Sequence, residues 1–420
     1  METTTINCFP GYESVYVKED NSFHNMYRGT DVGYGGYIYG EPGCYSNVAL
    51  LDIASMHPNS IIAMNCFGEY TKHFKDILDA RIAIKHGDLE SAKKMFGGRL
   101  EPFLQDKESA SSLAQALKIA INSVYGLTSA SFPNPFRDER NKNNIVALRG
   151  ALFMRTLQDE IHDRGFTVAS IRTDSIKIPD ATPEIIQFAM DFAKKYGYTF
   201  EHEATYDRMC LVNNSAYIAK YATEDQCVKL YGYIPGDNRK HPNQWTATAK
   251  QFQVPYVFKT LFSREPIVFE DLCETFEVKT ALYLDKNEDL PEGEHNYQFI
   301  GKVGQFCPIK PGRGGCELLR LGKDAEGNPK YDSATGAKGY RWLESEMVWK
   351  LDKVDDIDRS YYDKLVDEAI YGKGKGKERK PGISDFCDFE WFVSDDPVPT
   401  GDSDNDDPPW DDGRTDFDVR

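Results

Sequence analysis

The stretch Ser170-Ile171-Arg172-Thr173-Asp174-Ser175-Ile176-Lys177-Ile178 decides how the rest of the chain is read. Residues 166–172 mix β-branched and apolar side chains with a partial period of two. Thr173 and Asp174 fall where a tight turn belongs, and 175–178 returns as a second strand. The pattern predicts a hairpin with a carboxylate at its tip. A ladder holds such an acid rigidly while its oxygens face outward. That suits a hard cation, which takes one or two carboxylates and leaves its other positions to water and phosphate. Alone, an aspartate in a turn has a simpler explanation, because its side chain hydrogen-bonds to the nearby backbone.

Upstream, residues 48–53 form a compact apolar run, Val-Ala-Leu-Leu-Asp-Ile, with a single acid, Asp52, near its end. A charge at the end of a buried strand needs a partner. The strand breaks at Ala54-Ser55-Met56-His57-Pro58, and a helix is expected from about Asn59 and Ser60, whose first N–H groups are open to an anion. Residues 71–94 have helical periodicity, with Arg81 and Lys85 four apart on one face. A break at Gly97-Gly98 leads to a second helix expected over 111–125 and ended by Gly126, so the pair predicts an antiparallel helical hairpin. In that second helix Lys118, Asn122 and Tyr125 share one stripe, polar where packing alone would prefer apolar residues. Residues 1–45, rich in Gly, Tyr and Asn, predict an irregular, partly β entry segment.

Between that hairpin and the turn at Asp174 comes a loop over 131–144 with Pro133, Pro135, Arg137, Arg140 and Lys142, then a helix over 144–163. Downstream, Thr182 and Pro183 mark a cap and first turn for a helix reaching Tyr196, and strands are expected over 199–206, 209–213 and 216–221. Further on, the pattern predicts a helix over 245–262, short strands within 263–310, and a turn at Pro311-Gly312-Arg313-Gly314-Gly315. Two helices follow, over 341–351 and 359–371, and then a flexible basic linker over 372–380 whose charge suits a phosphate backbone. No dinucleotide fingerprint or phosphate-binding P-loop is present.

A chain of 420 residues with 40% hydrophobic and 13% aromatic content has enough material for two or three folded domains. No membrane span or secretory leader is visible, so a cytoplasmic setting, the host's if the chain is viral, is the expectation. Nine scattered cysteines without a Cys-x-x-Cys pair argue against a disulfide framework or a structural zinc site. The net charge of −17 is concentrated at one end. Residues 385–420 hold 13 acids and 2 bases, which leaves −6 for positions 1–384. A cleft with clustered Lys and Arg can therefore still bind a polyanion. The Asp, Asn and Pro around 402–412 cannot build a core and predict disorder.

Two lone carboxylates at strand ends, separated by a basic helical hairpin, form a pattern suited to a nucleoside triphosphate and two divalent ions. Three segments then carry a resemblance. Asp52-Ile53-Ala54-Ser55-Met56-His57-Pro58-Asn59-Ser60 resembles the first polymerase motif of family B DNA polymerases of the bacteriophage type. Lys118-Ile119-Ala120-Ile121-Asn122-Ser123-Val124-Tyr125-Gly126 resembles the second and Arg172-Thr173-Asp174-Ser175 the third, all in the family's order. The match covers about residues 30–225 well.

The resemblance implies an α+β right-hand architecture: an antiparallel β palm, helical-hairpin fingers and a C-terminal thumb. It places an N-terminal segment at 1–30, palm at 31–68 and 127–230, fingers at 69–126, thumb and C-terminal region at 231–384, and an acidic tail at 385–420. It implies templated addition of deoxynucleotides to a primer 3′ end, as in viral genome replication. Asp52 and Asp174 are then catalytic, binding two Mg²⁺ ions (Mn²⁺ as substitute) with help from the Ile53 carbonyl. Ser55, Met56, His57, Arg81, Lys85, Lys118, Asn122 and Tyr125 bind the nucleotide, and Thr173, Ser175, Tyr217 and Lys220 contact DNA. The implied partners are primer-template DNA, dNTP and a separate exonuclease chain or processivity factor, because only about 50 residues precede Asp52. The 66 positions from Asp52 to Lys118 leave no room for the insertion of protein-primed relatives, so a nucleic-acid primer is expected.

Three positions depart from the family pattern. Arg172 replaces the first Asp of the third motif, His57 replaces a Tyr that selects against ribonucleotides, and Ser215-Ala216-Tyr217 stands where Lys-x-Tyr is expected. Arg172, His57 and the missing exonuclease favour the competing reading of a catalytically impaired DNA-binding subunit, whereas the retention of both aspartates favours catalysis. A reverse transcriptase would show paired Asp residues at the hairpin tip, which are absent.

Overall fold

The structure is a computed structural model that describes residues 6–137, 144–287, 294–335, 339–376 and 379–393. Arg140 and Lys142 of the predicted loop, part of the basic linker and the acidic run at 402–412 lie outside the described residues. The chain divides into two units, one of Met1–Asn214 with Ala219–Asn243, the other of Ser215–Ile218 with Gln244–Arg420.

The first unit opens with a small antiparallel sheet of β1 (Glu13–Val17), β2 (Ser22–Tyr27) and β3 (Thr30–Asp31). Next come β4 (Ile38–Gly40), β5 (Gly43–Ile53), α1 (Met56–Ala63), α2 (Thr71–Lys85), α3 (Leu89–Lys94), α4 (Lys107–Ser129) and α5 (Ile145–His162). The hairpin of β6 (Ser170–Arg172) and β7 (Ser175–Ile178) is followed by α6 (Pro183–Lys195), β8 (Phe200–Leu211), β9 (Tyr217–Tyr221), α7 (Glu224–Tyr231) and α8 (Gly236–Lys240). The strand order β9-β8-β5-β7-β6-β4 makes β5 the middle of a sheet whose registered pairings are all antiparallel.

Period-two alternation sets which residues of this sheet face the core. Ala49, Leu51 and Ile53 of β5 pack with Ile171, Ile176, Ile178 and Phe200 of the flanking strands. They pack against Leu148, Leu152, Phe153 and Leu157 of α5 and Ile185, Ala189 and Phe192 of α6. The alternate residues, Asp52 among them, are left for the opposite face. A second, smaller cluster joins α1, α2 and α4 through Ile61, Phe74, Leu78 and Ile121. A third joins Ile84, Ala92, Leu104 and Ala110.

Several boundaries differ from the sequence expectation for identifiable reasons. The helix expected over 71–94 is two helices, because Gly87 takes a left-handed φ of 78° and the Asp88 side chain captures Ser91 N–H to start α3. Gly126 does not stop α4, which runs on to Ser129; the Thr128 hydroxyl donates to the Tyr125 carbonyl and continues the turn. The helix after β5 begins at Met56 rather than Asn59, with Ser55 in the left-handed region as its cap. Residues 199–206 and 209–213 merge into the single 12-residue strand β8. Thr182 and Pro183 do cap and open α6, the Thr182 hydroxyl accepting from Ile185 N–H.

In the second unit, Tyr217 N–H donates to Thr248 Oγ1 (3.0 Å) and Thr248 N–H donates to the Tyr217 carbonyl (2.9 Å). The helix expected over 245–262 is met only in part: β10 (Trp245–Ala247) replaces its start, and α9 (Lys250–Gln253) and α10 (Pro255–Phe258), the latter running on as a π-helical turn to Ser263, are separated at Val254 because Pro255 lacks the N–H that a continuous helix needs. Residues 274–344 build a five-stranded antiparallel sheet of β11 (Glu274–Asp285), β12 (Tyr297–Ile309), β13 (Glu317–Lys323), β14 (Pro329–Ser333) and β15 (Arg341–Glu344) in the order β14-β13-β11-β12-β15. Two of these strands, at 12 and 13 residues, are far longer than expected. Helices α11 (Ser345–Lys350), α12 (Ser360–Tyr371) and α13 (Phe389–Val393) complete the described chain.

Candidate active site

The register of β5 and β7 brings the two lone aspartates together. Asp52 stands opposite Ser175, and the next residue, Ile53, donates its N–H to the Asp174 carbonyl at 2.8 Å. The two acids, 122 positions apart in sequence, thus sit at the same end of the sheet, Asp52 near the end of β5 and Asp174 in the turn that leads into the neighbouring β7. The hairpin bearing Asp174 is as tight as expected: Arg172 pairs with Ser175, leaving Thr173 and Asp174 as a two-residue loop. Thr173 occupies φ 51°, a left-handed conformation that a β-branched residue rarely adopts. The neighbouring strand edge holds it there. Thr173 N–H donates to the Tyr37 carbonyl at 3.0 Å, and Gly36, at φ 144°, passes so close that a Cβ at that position would lie 2.8 Å from Thr173 Cγ2.

Reading across the ladder, Ile38, Arg172, Ser175, Asp52 and Glu201 are successive partners on β4, β6, β7, β5 and β8. Their neighbours Ile171, Ile176, Ile53 and Phe200 point into the core, so this row belongs to the opposite face. The charged side of the sheet therefore carries one arginine and two acids in a line. Glu201 was not singled out in the sequence. Nothing but strand pairing marks it, since it lies in a run of acids and bases of no distinctive spacing.

Helix α2 meets the start of α1 at one point and this row at another. Arg81, half-buried, donates from Nη1 to Ser55 Oγ at 3.1 Å, at the start of α1. Burial pushes its guanidinium below the ordinary value. One turn later Lys85 Nζ donates to Glu201 Oε2 at 2.8 Å and His86 Nε2 lies 3.0 Å from Glu201 Oε1. Burial acts to raise the Glu201 carboxyl, but these two partners outweigh it and hold the group below the usual carboxylate range.

Helix α4 meets α1 at His57. The imidazole stacks on the Tyr125 ring with centroids 4.5 Å apart and planes 14° from parallel. Desolvation pushes His57 down to about 4, so the ring is neutral at pH 7, and its Nδ1 is buried without a hydrogen-bond partner. The Tyr125 hydroxyl donates to Asn144 Oδ1 (3.1 Å), and Asn144 Nδ2 donates to the Tyr34 carbonyl (2.7 Å). Asn144 is a second residue that the sequence did not flag.

Of the residues expected to form the site, Asp52, Ile53, Asp174, Thr173 and Ser175 thus share the β5 to β7 strand ends. Ser55, Met56, His57, Arg81 and Tyr125 surround the start of α1. Met56 is buried in the main core, and its amide and that of His57 are the first of α1, without intrahelical acceptors. Lys85 is engaged by Glu201. Lys118 and Asn122 lie on α4 two turns and one turn before Tyr125, and among the described residues their side chains have no partner. Lys220 is 4% exposed, and Tyr217 falls in the second unit.

No family model matches the sequence, and no curated protein matches it. Among solved structures the chain is similar to the family B DNA polymerase from the hyperthermophilic archaeon Pyrobaculum calidifontis. The identity is 14% and the TM-score 0.42, over 86% of this chain and 50% of that one. The chain spans about half the length of that structure.

Proposed function

We propose that the chain is a template-directed DNA polymerase that extends a primer 3′ end with deoxynucleotides. The observation that carries this reading is the pairing of β5 with β7, which sets Asp52 and Asp174 on neighbouring strand ends. The three motif resemblances supply the reaction class.

The donor set suits magnesium: two carboxylates and a backbone carbonyl of Ile53, all hard oxygens, with no thiol or imidazole in the row. Two bound Mg²⁺ ions would stabilise the attacking and leaving oxygens of an in-line displacement. The chain's own groups do the rest. Asp52 and Asp174 are held by the ladder and by a two-residue turn, so neither reorganises as charge develops. The first amides of α1 and the guanidinium of Arg81 face the anion that a triphosphate presents, and Lys85 and Lys118 add positive charge from α2 and α4. Tyr125 and His57 form a flat stacked wall beside the nascent base pair. Thr173 at the hairpin tip is the proposed contact to primer-template; Ser175 and Lys220, expected beside it, are buried, and Tyr217 falls in the second unit.

Purified chain incubated with a DNA primer-template, the four dNTPs and Mg²⁺ is expected to extend the primer, and to stop when the metal is chelated. Tight primer-template binding without any extension, with Mg²⁺ or Mn²⁺, would replace this reading by that of a DNA-binding subunit.

His57 gives a further check. A neutral imidazole with an open ring nitrogen leaves more room and an added hydrogen-bonding atom where a tyrosine would pack under the sugar. His57→Tyr is expected to raise discrimination against ribonucleotides by about tenfold, within the range that one added or missing hydroxyl contact commands. The ratio of dNTP to rNTP incorporation measures it, and an unchanged ratio removes His57 from sugar selection.

A further inference from the structure

Asp52 and Glu201 are direct partners across the β5 to β8 ladder. Like charges opposite one another in an antiparallel pair repel, so this arrangement calls for a counter-charge. Glu201 receives it from the end of α2, where Lys85 Nζ takes one carboxylate oxygen at 2.8 Å and His86 Nε2 the other at 3.0 Å. Arg81, on the same helix, is spent on Ser55. Lys85 is therefore already paired, and with an acid that sits beside Asp52.

We propose that Glu201 is the resident counter-ion of Lys85, displaced when a polyphosphate takes the lysine, so that this pair sets the affinity of the site for a triphosphate group. This rests on the polymerase reading only in bringing a triphosphate to α2; the contact between α2 and β8 stands without it.

The exchange is physically easy. The Lys85 and Glu201 side chains are 47% and 27% exposed, and ion pairs this open to water hold weakly. A triphosphate offers several negative oxygens against one carboxylate, so it outcompetes Glu201 for the ammonium. Glu201 then keeps His86 alone, and its freed charge beside Asp52 favours the divalent cation that accompanies the triphosphate. The lysine leaves the acid as the cation arrives, and the local charge stays balanced.

The test uses the full chain and inorganic tripolyphosphate, titrated calorimetrically at fixed ionic strength without divalent metal. Glu201→Gln is expected to bind about two- to fivefold more tightly than wild type, the scale of one exposed ion pair. Lys85→Gln is expected to bind more weakly, and adding Glu201→Gln to it should produce no further change. A Glu201→Gln protein that binds no more tightly, or that gains as much in the Lys85→Gln background, overturns the proposal; the second result would mean that net charge acts, not the pair. Should Glu201→Gln fail to fold, Glu201→Asp keeps the charge, loses the reach to Lys85 and is expected to bind more tightly in the same sense, and the same two outcomes judge it. Primer extension by the wild-type chain reports separately. Extension without this coupling discards the counter-ion alone, and the coupling without extension discards the polymerase reading alone.

Discussion

Asp174→Asn is expected to abolish Mg²⁺-dependent primer extension, lowering the rate by on the order of 10³-fold or more, while primer-template binding stays near wild type. The loss is that of a preorganised electrostatic group at the reacting centre. The amide has the same shape as the carboxylate, and the turn itself is held by main-chain bonds, Thr173 N–H to Tyr37 and Ile53 N–H to the Asp174 carbonyl. The fold therefore has no reason to change. Extension assays and equilibrium DNA binding on the same preparation separate the two effects. Retained extension would end the catalytic assignment, and a matching loss of DNA binding would mean that Asp174 shapes the DNA surface instead.

Gly36→Ala is expected to have the second largest effect, although residue 36 carries no chemistry. Its φ of 144° is a conformation that side-chain-bearing residues avoid, and the added Cβ would lie 2.8 Å from Thr173 Cγ2 and 2.9 Å from Thr173 Oγ1. Either β4 or the hairpin tip must move. Strain of this kind costs about 1–3 kcal/mol, and a displacement of about 1 Å at a reacting group can cost on the order of 10² in rate. The variant should unfold at a lower denaturant concentration and extend primers roughly a hundredfold more slowly. Gly35→Ala is the control: nothing lies within 4 Å of a Cβ there. If the two variants behave alike, the contact between Gly36 and Thr173 is not what positions Asp174.

How far the sequence carries depends on whether a feature is local. The hairpin at Thr173 and Asp174 is legible because a two-residue turn between apolar strands is written in consecutive residues, and the Thr182–Pro183 start of α6 is legible for the same reason. The stripe of Lys118, Asn122 and Tyr125 is also local, since a helix converts spacing directly into a shared face. Glu201 and Asn144 are not local. Glu201 matters because β8 registers against β5 with Glu201 at Asp52, and Asn144 because a loop residue bridges Tyr125 to Tyr34. Strand register over some 150 residues of separation leaves no trace in spacing. The errors have the same origin. Residues 245–262 read as one helix, but Trp245–Ala247 forms a strand and the helical turns from Lys250 to Ser263 break before Pro255, while Gly301, Gly304 and Pro308 interrupt the apolar pattern of β12 and make it look short.

Strand β5 is bonded along both flanks, to β7 on one side and β8 on the other, and lies over the largest apolar cluster. Helix α2, by contrast, rests on two small clusters that it shares with α1, α3, α4 and α5. Cooperative opening follows such divisions. Asp52 consequently rides on the part of the molecule that is last to melt, and Arg81 and Lys85 on a part that can detach early, so warming should silence phosphate capture well before the acidic strand ends lose their alignment.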